Sequence, residues 1–280
     1  MPDNQPPHAA PGPDPEPSAE PPARHSVESC QAESAAQDGA AAVVVVAAGS
    51  GTRLGHGIPK ALVPLAGRPL LAHALDGVLA SGVASRIVVV LPPGDTELTR
   101  VCAGYADRGV VAVDGGATRN ESVRAGLGAV GDGADVVLVH DAARCLTPPA
   151  VFREVLAALR AGADAAVPAV PVVDTVKVAA PSARTAIAAE TVAATPDRSG
   201  LRAVQTPQGF RLAPLRAAHE AAAGWDALRA AAVTDDALLM ESRGVDVYLV
   251  RGAAESLKIT TPLDLLLAEA MVANGYEETT

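Results

Sequence analysis

The stretch AAVVVVAAGSGTRLG, residues 41–55, decides the fold. It begins with eight consecutive apolar residues, and a strand that is apolar at every position is typical of a sheet covered on both faces. Glycines follow directly, and they let the backbone approach a ligand and turn its N–H groups toward an anion. Ligands of open α/β sheets bind beyond the carboxyl ends of the strands. The stretch therefore predicts the first strand of such a sheet and the start of its binding site.

The same alternation of strand and helix patterns continues along the chain. Apolar runs predict strands at Ala41–Ala48, Arg86–Leu91, Val110–Asp114, Asp135–His140 and Ala165–Val170. Segments of helical periodicity separate them, at Leu70–Ser81, Thr96–Tyr105, Thr118–Val130 and Pro149–Ala161. Crossovers of this kind imply parallel pairing with right-handed connections, so the predicted fold class is α/β, with a doubly wound, mostly parallel, Rossmann-like sheet.

Two segments depart from this alternation. Residues 1–39 are rich in Pro, Ala and acidic residues, and such a segment buries too little apolar surface to fold, so we predict a disordered tail. Residues 171–200 hold Pro, Asp, Thr and β-branched residues without a helical face, which predicts a β-arm projecting from a domain that spans residues 40–275. The alternation then resumes with helices from Pro214 and Asp235, a strand at Val245–Val250 and a helix at Pro262–Ala273.

Charge and cysteine content limit the classes of partner. The net charge is −10 over 280 residues. Residues 1–39 hold seven acidic residues and one basic residue, about −6, which leaves about −4 for the rest. Without a basic stripe we expect no nucleic-acid partner. No apolar run approaches the length of a membrane span. Cys30, Cys102 and Cys145 are odd in number and lack metal-site spacing, which favours a reducing, cytoplasmic location.

Two cations accompany the glycine loop. Arg53 lies within it and Lys60 follows shortly after. A planar guanidinium and a mobile ammonium suit the phosphates of a nucleoside triphosphate, where charge develops as pyrophosphate departs. A dinucleotide-binding turn is the alternative, but Pro59 interrupts the long helix that it requires, and no acidic residue ends a second strand to hold a ribose. Ordinary surface cations are the second alternative.

Polar residues also follow the third and fourth predicted strands. After the fourth strand, Asp141 is suited to orient an acceptor or a Mg²⁺-bound water and Arg144 to meet a phosphate, while His140 is predicted to be structural. Cys145 is interpreted as a packed thiol, with a thiol activated by Arg144 as the alternative. The third strand ends in a segment with backbone groups for a base: Asp114, Gly115, Gly116, Arg119 and Ser122.

Seven segments together resemble one family. In order they are Gly49–Arg53 with Pro59-Lys60, Asp114–Gly116, His140–Arg144, Asp174–Lys177, Gln205–Gln208, Thr234–Asp236 and Leu257–Thr260. Over roughly Ala41 to Ala273 this set is similar to the 2-C-methyl-D-erythritol 4-phosphate cytidylyltransferases of the non-mevalonate isoprenoid pathway. The resemblance implies transfer of a cytidylyl group from CTP to that polyol phosphate, with Mg²⁺ as cofactor and release of pyrophosphate. It also implies a homodimer in which the arm reaches the partner's site.

The resemblance also implies residue roles. Catalytic positions are Arg53, Lys60, Arg198 and Lys258. CTP-binding positions are Ala47, Ala48, Gly49, Ser50, Gly51, Gly116, Ser122, Asp141 and Ala142. Acceptor-binding positions are Asp141, Arg144, Thr175, Arg198, Thr206, Thr234 and Lys258. No protein residue is expected to hold the metal on its own, because the triphosphate carries it, with Asp141 as a contact through water.

Alternatives to this function remain open on the sequence. The nearest is another nucleotidyltransferase, such as a ribitol 5-phosphate cytidylyltransferase or another sugar- or polyol-phosphate enzyme. More distant are an NAD(P)-dependent oxidoreductase and a module that binds CTP without chemistry. A phosphate nucleophile needs no strong general base, so the sequence predicts catalysis by positioning and charge neutralisation, without a covalent Cys, Ser or His nucleophile.

Overall fold

The computed structural model describes residues 40–49, 51, 54–55, 57–181, 189–225 and 232–275. The predicted tail at residues 1–39, and Ser50 and Arg53 of the glycine loop, lie outside the described residues. The strands are β1 (Ala40–Val46), β2 (Pro64–Leu65), β3 (Arg68–Pro69), β4 (Arg86–Leu91), β5 (Val110–Asp114), β6 (Ala134–Asp141), β7 (Ala165–Pro171), β8 (Val178–Pro181), β9 (Glu190–Ala194), β10 (Arg202–Val204), β11 (Gln208–Arg211) and β12 (Val247–Arg251). The helices are α1 (Leu70–Ser81), α2 (Thr96–Ala103), α3 (Arg119–Ala129), α4 (Pro149–Arg160), α5 (Leu212–Ala222), α6 (Asp236–Glu241) and α7 (Pro262–Asn274).

One mostly parallel sheet organises the fold. Strands β6, β1, β4 and β5 pair in parallel in that order, and β12 pairs in parallel with β7. The exception is β11, which lies between β6 and β7 and is antiparallel to both. β10 also pairs antiparallel with β7, toward the end of that strand. The predicted fold class is confirmed, with one antiparallel insertion that the apolar pattern did not reveal.

Helices cover both faces of the sheet, as the continuous apolar strands require. Val43 and Val45 of β1 pack with α1, α2 and α4 on one face, whereas Val44 packs with α3, α5 and α6 on the other. All three valines are fully buried, and burial of a valine side chain stabilises a fold by about 1.5–3 kcal/mol. On the second face Gly126 of α3 is so close that a Cβ would lie 2.5 Å from Cγ1 of Val44.

Local signals set most of the boundaries. α1 has its predicted bounds and is followed by Gly82 in the left-handed region, with φ of 68°. The side chain of Asp95 caps α2, but this helix ends at Ala103, two residues before the predicted Tyr105. β1 ends at Val46 rather than Ala48, because the chain turns there into the glycine loop.

The predicted arm is a two-stranded antiparallel sheet of β8 and β9, separate from the main sheet. Every residue of β9 is exposed, so the described part of the chain does not cover this strand of the hairpin. At the other end of the domain, α7 packs on the β2–β3 hairpin through Leu265 and Ala268. Among the described helices, none combines the length and the apolar character needed to cross a bilayer.

Candidate active site

A cleft of about 390 Å³ opens where β1, β5 and β6 end. This is the edge at which the sequence placed the site, and it follows from parallel pairing, which brings the carboxyl ends of these strands together. The residues that line it come from six separate stretches of chain: Val46, Ala47, Ala48, Gly49, Lys60, Ala61, Leu70, Gly116, Ala117, Thr118, Arg119, Ser122, Asp141, Ala142, Ala143 and Lys258.

The glycine loop packs against the backbone of Lys60. Gly51 has a φ of 66°, and a Cβ there would lie 2.7 Å from the Cβ of Lys60 and 3.0 Å from its Cα. Only glycine fits this contact without displacing the backbone. This close contact with Gly51 fixes the Cα and Cβ of Lys60. Lys60 lines the cleft, as the sequence predicted for one of the two cations near the glycine loop.

A backbone turn next to α3 forms part of the cleft lining. The N–H of Gly116 donates to Oγ of Ser122 at 3.2 Å, and the N–H of Ala117 donates to Oε2 of Glu121 at 2.7 Å. A Cβ on Gly115 would lie 2.7 Å from the same Ser122 oxygen. The turn therefore packs tightly on the first turn of α3, and its lining residues Gly116 and Ala117 carry little side chain, which lets a base approach the backbone.

Asp141 lies between two cations at the centre of the cleft. Its Oδ2 is 2.7 Å from Nζ of Lys258, and its Oδ1 is 3.8 Å from Nε of Arg119. Burial alone would raise the pKa of Asp141, but Arg119 and Lys258 outweigh it and lower the pKa to about 2. The site therefore holds a permanent carboxylate with a cation on each side.

Arg119 is anchored from behind by a buried ion pair. Its Nη2 lies 2.8 Å from Oδ2 of Asp236, a residue with no exposed surface. The other oxygen of Asp236, Oδ1, accepts from Nε2 of His219 at 2.9 Å. Burial alone would raise the pKa of Asp236, yet Arg119 and His219 together lower it.

The sequence predicts no catalytic, CTP-binding or acceptor-binding role for Arg119, Asp236 or His219. Arg119 follows the double glycine, and Asp236 stands in the Thr-Asp-Asp segment, in which Thr234 is the predicted acceptor-binding residue. No sequence signal marks His219, because it sits in an ordinary amphipathic helix.

A model of the family described as "IspD: 2-C-methyl-D-erythritol 4-phosphate cytidylyltransferase" matches residues 41–274. The chain belongs to this family. A relative of that name from Rhodococcus jostii is 47% identical over 237 residues, 85% of this chain and 97% of the relative. Another from Nocardia farcinica is 49% identical over 235 residues, 84% of this chain and 95% of the relative. A crystal structure of 2-C-methyl-D-erythritol 4-phosphate cytidylyltransferase from Thermus thermophilus matches with a TM-score of 0.65 at 34% identity, over 84% of this chain and 99% of that chain.

Nine positions that were assigned by resemblance to this cytidylyltransferase family line the cleft. They are Ala47, Ala48, Gly49, Lys60, Gly116, Ser122, Asp141, Ala142 and Lys258. They include all the described CTP-binding positions except Gly51, whose backbone lies beneath Lys60.

Two further positions brace the cleft rather than line it. Arg144 donates from Nη1 to the Ser256 carbonyl at 2.6 Å and from Nη2 to the Val204 carbonyl at 3.2 Å. Its guanidinium therefore links three segments of the chain next to the site. Burial lowers the pKa of Arg144, although Asp141 partly opposes the shift. Thr206 is buried, and its Oγ1 accepts from the Asp141 N–H at 3.0 Å.

His140 supports this arrangement from the core, as the sequence predicted. Its Nδ1 is 3.1 Å from Oγ1 of Thr206, and its ring packs at 4.9 Å against Phe152. Burial lowers the pKa of His140 to about 4 despite the nearby Asp141, so the imidazole is neutral at physiological pH. Cys145 is also buried, and burial raises the pKa of its thiol to about 12. That favours the packed-thiol interpretation over the activated one.

The other predicted acceptor-binding positions stand apart from the cleft of their own chain. Thr175, Arg198 and Thr234 are exposed and absent from its lining. Thr175 and Arg198 flank the β8–β9 arm, where Arg198 donates from Nη1 to the Val173 carbonyl.

Metal-ligating groups are sparse in the described part of the chain, where no cluster of three or more His, Cys, Asp or Glu is found. Asp141 is the only carboxylate among the described lining residues. A divalent ion there would need most of its ligands from elsewhere, and phosphate oxygens of a nucleotide are suitable ligands for Mg²⁺.

Proposed function

We propose that this protein transfers the cytidylyl group of CTP to 2-C-methyl-D-erythritol 4-phosphate, giving 4-diphosphocytidyl-2-C-methyl-D-erythritol and pyrophosphate for isoprenoid synthesis. One observation carries the proposal. In a chain of this family, the backbone turn at Gly116 and Ala117 lines the same cleft as the cations Lys60, Arg119 and Lys258. Three lining cations against one lining carboxylate match two phosphate-bearing reactants better than they match a nicotinamide and a neutral substrate.

Catalysis in this arrangement follows from charge. The acceptor's phosphate is an anion near neutral pH, so it attacks the α-phosphorus of CTP without a general base. What the site must overcome is repulsion between two anions and the charge that develops on the departing pyrophosphate. Fixed cations in a cleft of low polarity stabilise that charge without having to reorganise. Lys258 is held in place by Asp141, and Arg119 by Asp236, before a ligand arrives.

Mg²⁺ belongs to the same proposal. When bound to the triphosphate oxygens, it would neutralise their charge and fix their geometry for in-line attack. Asp141 is the described residue placed to contact the ion, directly or through water. Its low pKa supports this role, because the side chain remains a carboxylate throughout the physiological range.

We further propose a cytoplasmic homodimer in which the arm of each subunit reaches the site of its partner. The arm exposes Val173, Val178 and Val192, with 78%, 46% and 62% of their surfaces accessible. Apolar side chains in a hairpin that the described residues leave exposed favour a protein partner. Thr175 and Arg198, beside this hairpin, would then contact the acceptor across the interface. Sedimentation equilibrium tests the dimer, and a monomer at micromolar concentration would contradict it.

The activity is tested by release of pyrophosphate from CTP and Mg²⁺ with a panel of polyol phosphates. We expect turnover with 2-C-methyl-D-erythritol 4-phosphate, little with ribitol 5-phosphate, and little when GTP replaces CTP. EDTA should abolish turnover, and excess Mg²⁺ should restore it. Turnover only with ribitol 5-phosphate would assign a different acceptor, and no turnover with any polyol phosphate would refute the proposal.

A further inference from the structure

We propose that the buried His219–Asp236 pair positions Arg119 for the phosphates of CTP, and so sets the affinity of the nucleotide site from outside the cleft. This inference rests on the proposed function. Neither His219 nor Asp236 lines the cleft. Both are almost completely buried. His219 is hydrogen-bonded to Oδ1 of Asp236 at 2.9 Å, and Oδ2 of Asp236 forms an ion pair with Arg119 at 2.8 Å.

The contact distances show which carboxylate holds Arg119. Asp236 lies 2.8 Å from Nη2, whereas Asp141 lies 3.8 Å from Nε, so the guanidinium is bonded at its back and only loosely engaged at its front. Its Nη1 is buried and has no hydrogen-bond partner among the described residues. A guanidinium has five N–H donors in a fixed fork, so anchoring one side determines where the others point.

Asp236 can do this because two other residues fix it. His219 of α5 occupies Oδ1, which leaves Oδ2 for Arg119. The start of α6 is fixed by Gln208 of β11, whose side chain bonds Asp235 at 2.8 Å and the N–H of Ala237 at 3.2 Å. A buried carboxylate is costly unless it is paired on both sides. Asp236 is therefore a rigid support for the cation.

The His219–Asp236 pair affects CTP binding because Arg119 would change its orientation if it lost its contact with Asp236. Without Asp236 the side chain would remain attracted to Asp141, and its guanidinium would neutralise that carboxylate rather than face a phosphate. Asp141 is also a predicted acceptor-binding residue, so the acceptor is affected through this one contact, whereas the other acceptor contacts are assigned to other elements. The expected signature is thus a larger change in the KM for CTP than in the KM for the acceptor.

The test measures CTP affinity by calorimetry and steady-state kinetics in Asp236→Asn and in two variants of His219. We expect Asp236→Asn to weaken CTP binding about tenfold, the scale of one lost interaction with a charged group. His219→Gln should stay near the wild type, because its amide nitrogen reaches the position of Nε2. His219→Asn is too short to reach Asp236 and should weaken CTP binding, which keeps the test valid if Asp236→Asn does not fold.

A double-mutant cycle separates positioning from general destabilisation. In an Arg119→Ala background, Asp236→Asn should cause no further loss of CTP affinity, because the residue through which it acts is gone. Arg216→Ala is the matched control: Arg216 also joins α5 to α3, by bonds to the carbonyls of Leu127 and Gly131, but is remote from Arg119. It should lower stability and leave CTP affinity unchanged.

Two results would overturn the inference. One is equal CTP affinity in wild type, Asp236→Asn and His219→Asn; the other is the same loss from Asp236→Asn with and without Arg119. If the wild type itself binds no CTP, the proposed function fails instead, so the two failures are distinguishable.

Discussion

Asp141→Asn keeps the shape of the central side chain and removes its charge. The pKa of Asp141 is about 2 in the folded protein, against 3.8 for an ordinary carboxyl. A carboxyl with a lower pKa in the folded state stabilises the fold above its unfolded pKa, and this contribution is lost as the pH falls through the folded value. The difference between the two pKa values corresponds to about 2 kcal/mol at pH 7, of which about half remains at pH 3.

We therefore expect Asp141→Asn to lower the free energy of unfolding by about 2 kcal/mol at pH 7 and by about 1 kcal/mol at pH 3. Urea titrations followed by circular dichroism at the two pH values measure both quantities. The control is Asp246→Asn, at an exposed position, which should change stability by less than about 0.5 kcal/mol at either pH. An equal loss at pH 7 and pH 3 would show that Lys258 and Arg119 do not stabilise the charged form, and the electrostatic description of the site would be wrong.

Three more predictions concern separate features. Lys60→Ala should reduce turnover about 100-fold in the pyrophosphate-release assay, as one lost charged stabiliser predicts; unchanged turnover would remove Lys60 from catalysis. Gly126→Ala should cost about 1–3 kcal/mol in urea titrations, since its Cβ would collide with Val44, while Gly128→Ala, with no neighbour within 4 Å, is the control and should be neutral or stabilising. Cys145 should be alkylated only in urea, equally with and without CTP, as mass spectrometry of the labelled peptides will show; rapid labelling of native protein would contradict the packed thiol.

The fold could be predicted from the sequence where the local pattern of residues alone defines a strand. β4 and β5 have the bounds that were predicted, because each is a short, mostly β-branched run, although only β4 is buried along most of its length. The antiparallel strand β11 was not predictable in this way. It has four residues, one of them glycine, and its position between β6 and β7 is decided by pairing with strands some 40 to 70 residues earlier in the chain.

The same distinction applies to the site. Backbone turns with their own glycine signature, such as Gly49 and Gly116, were found from sequence and line the cleft. Asp236 was missed because an acidic residue at a helix start is usually read as a cap. Here Asp235 is the cap, accepting from the N–H of Leu238 at 2.9 Å, which leaves Asp236 to face inward. A contact between α3 and α6, more than 100 residues apart, leaves no trace in local periodicity.

The inserted antiparallel strand also orders events during synthesis. The block β5–β4–β1–β6 is complete in the nascent chain once residue 141 has left the ribosome, and its four strands already pair with one another. β7 emerges next but joins β6 only through β11, so its place in the sheet waits for residue 211. Thr206 and Gln208 arrive with that insertion: Thr206 accepts from the Asp141 N–H, and Gln208 holds the residues on either side of Asp236. A polypeptide released before this point would carry the glycine loop and the parallel block. It would lack the hydrogen bonds that Thr206 and Gln208 make near Asp141 and Asp236.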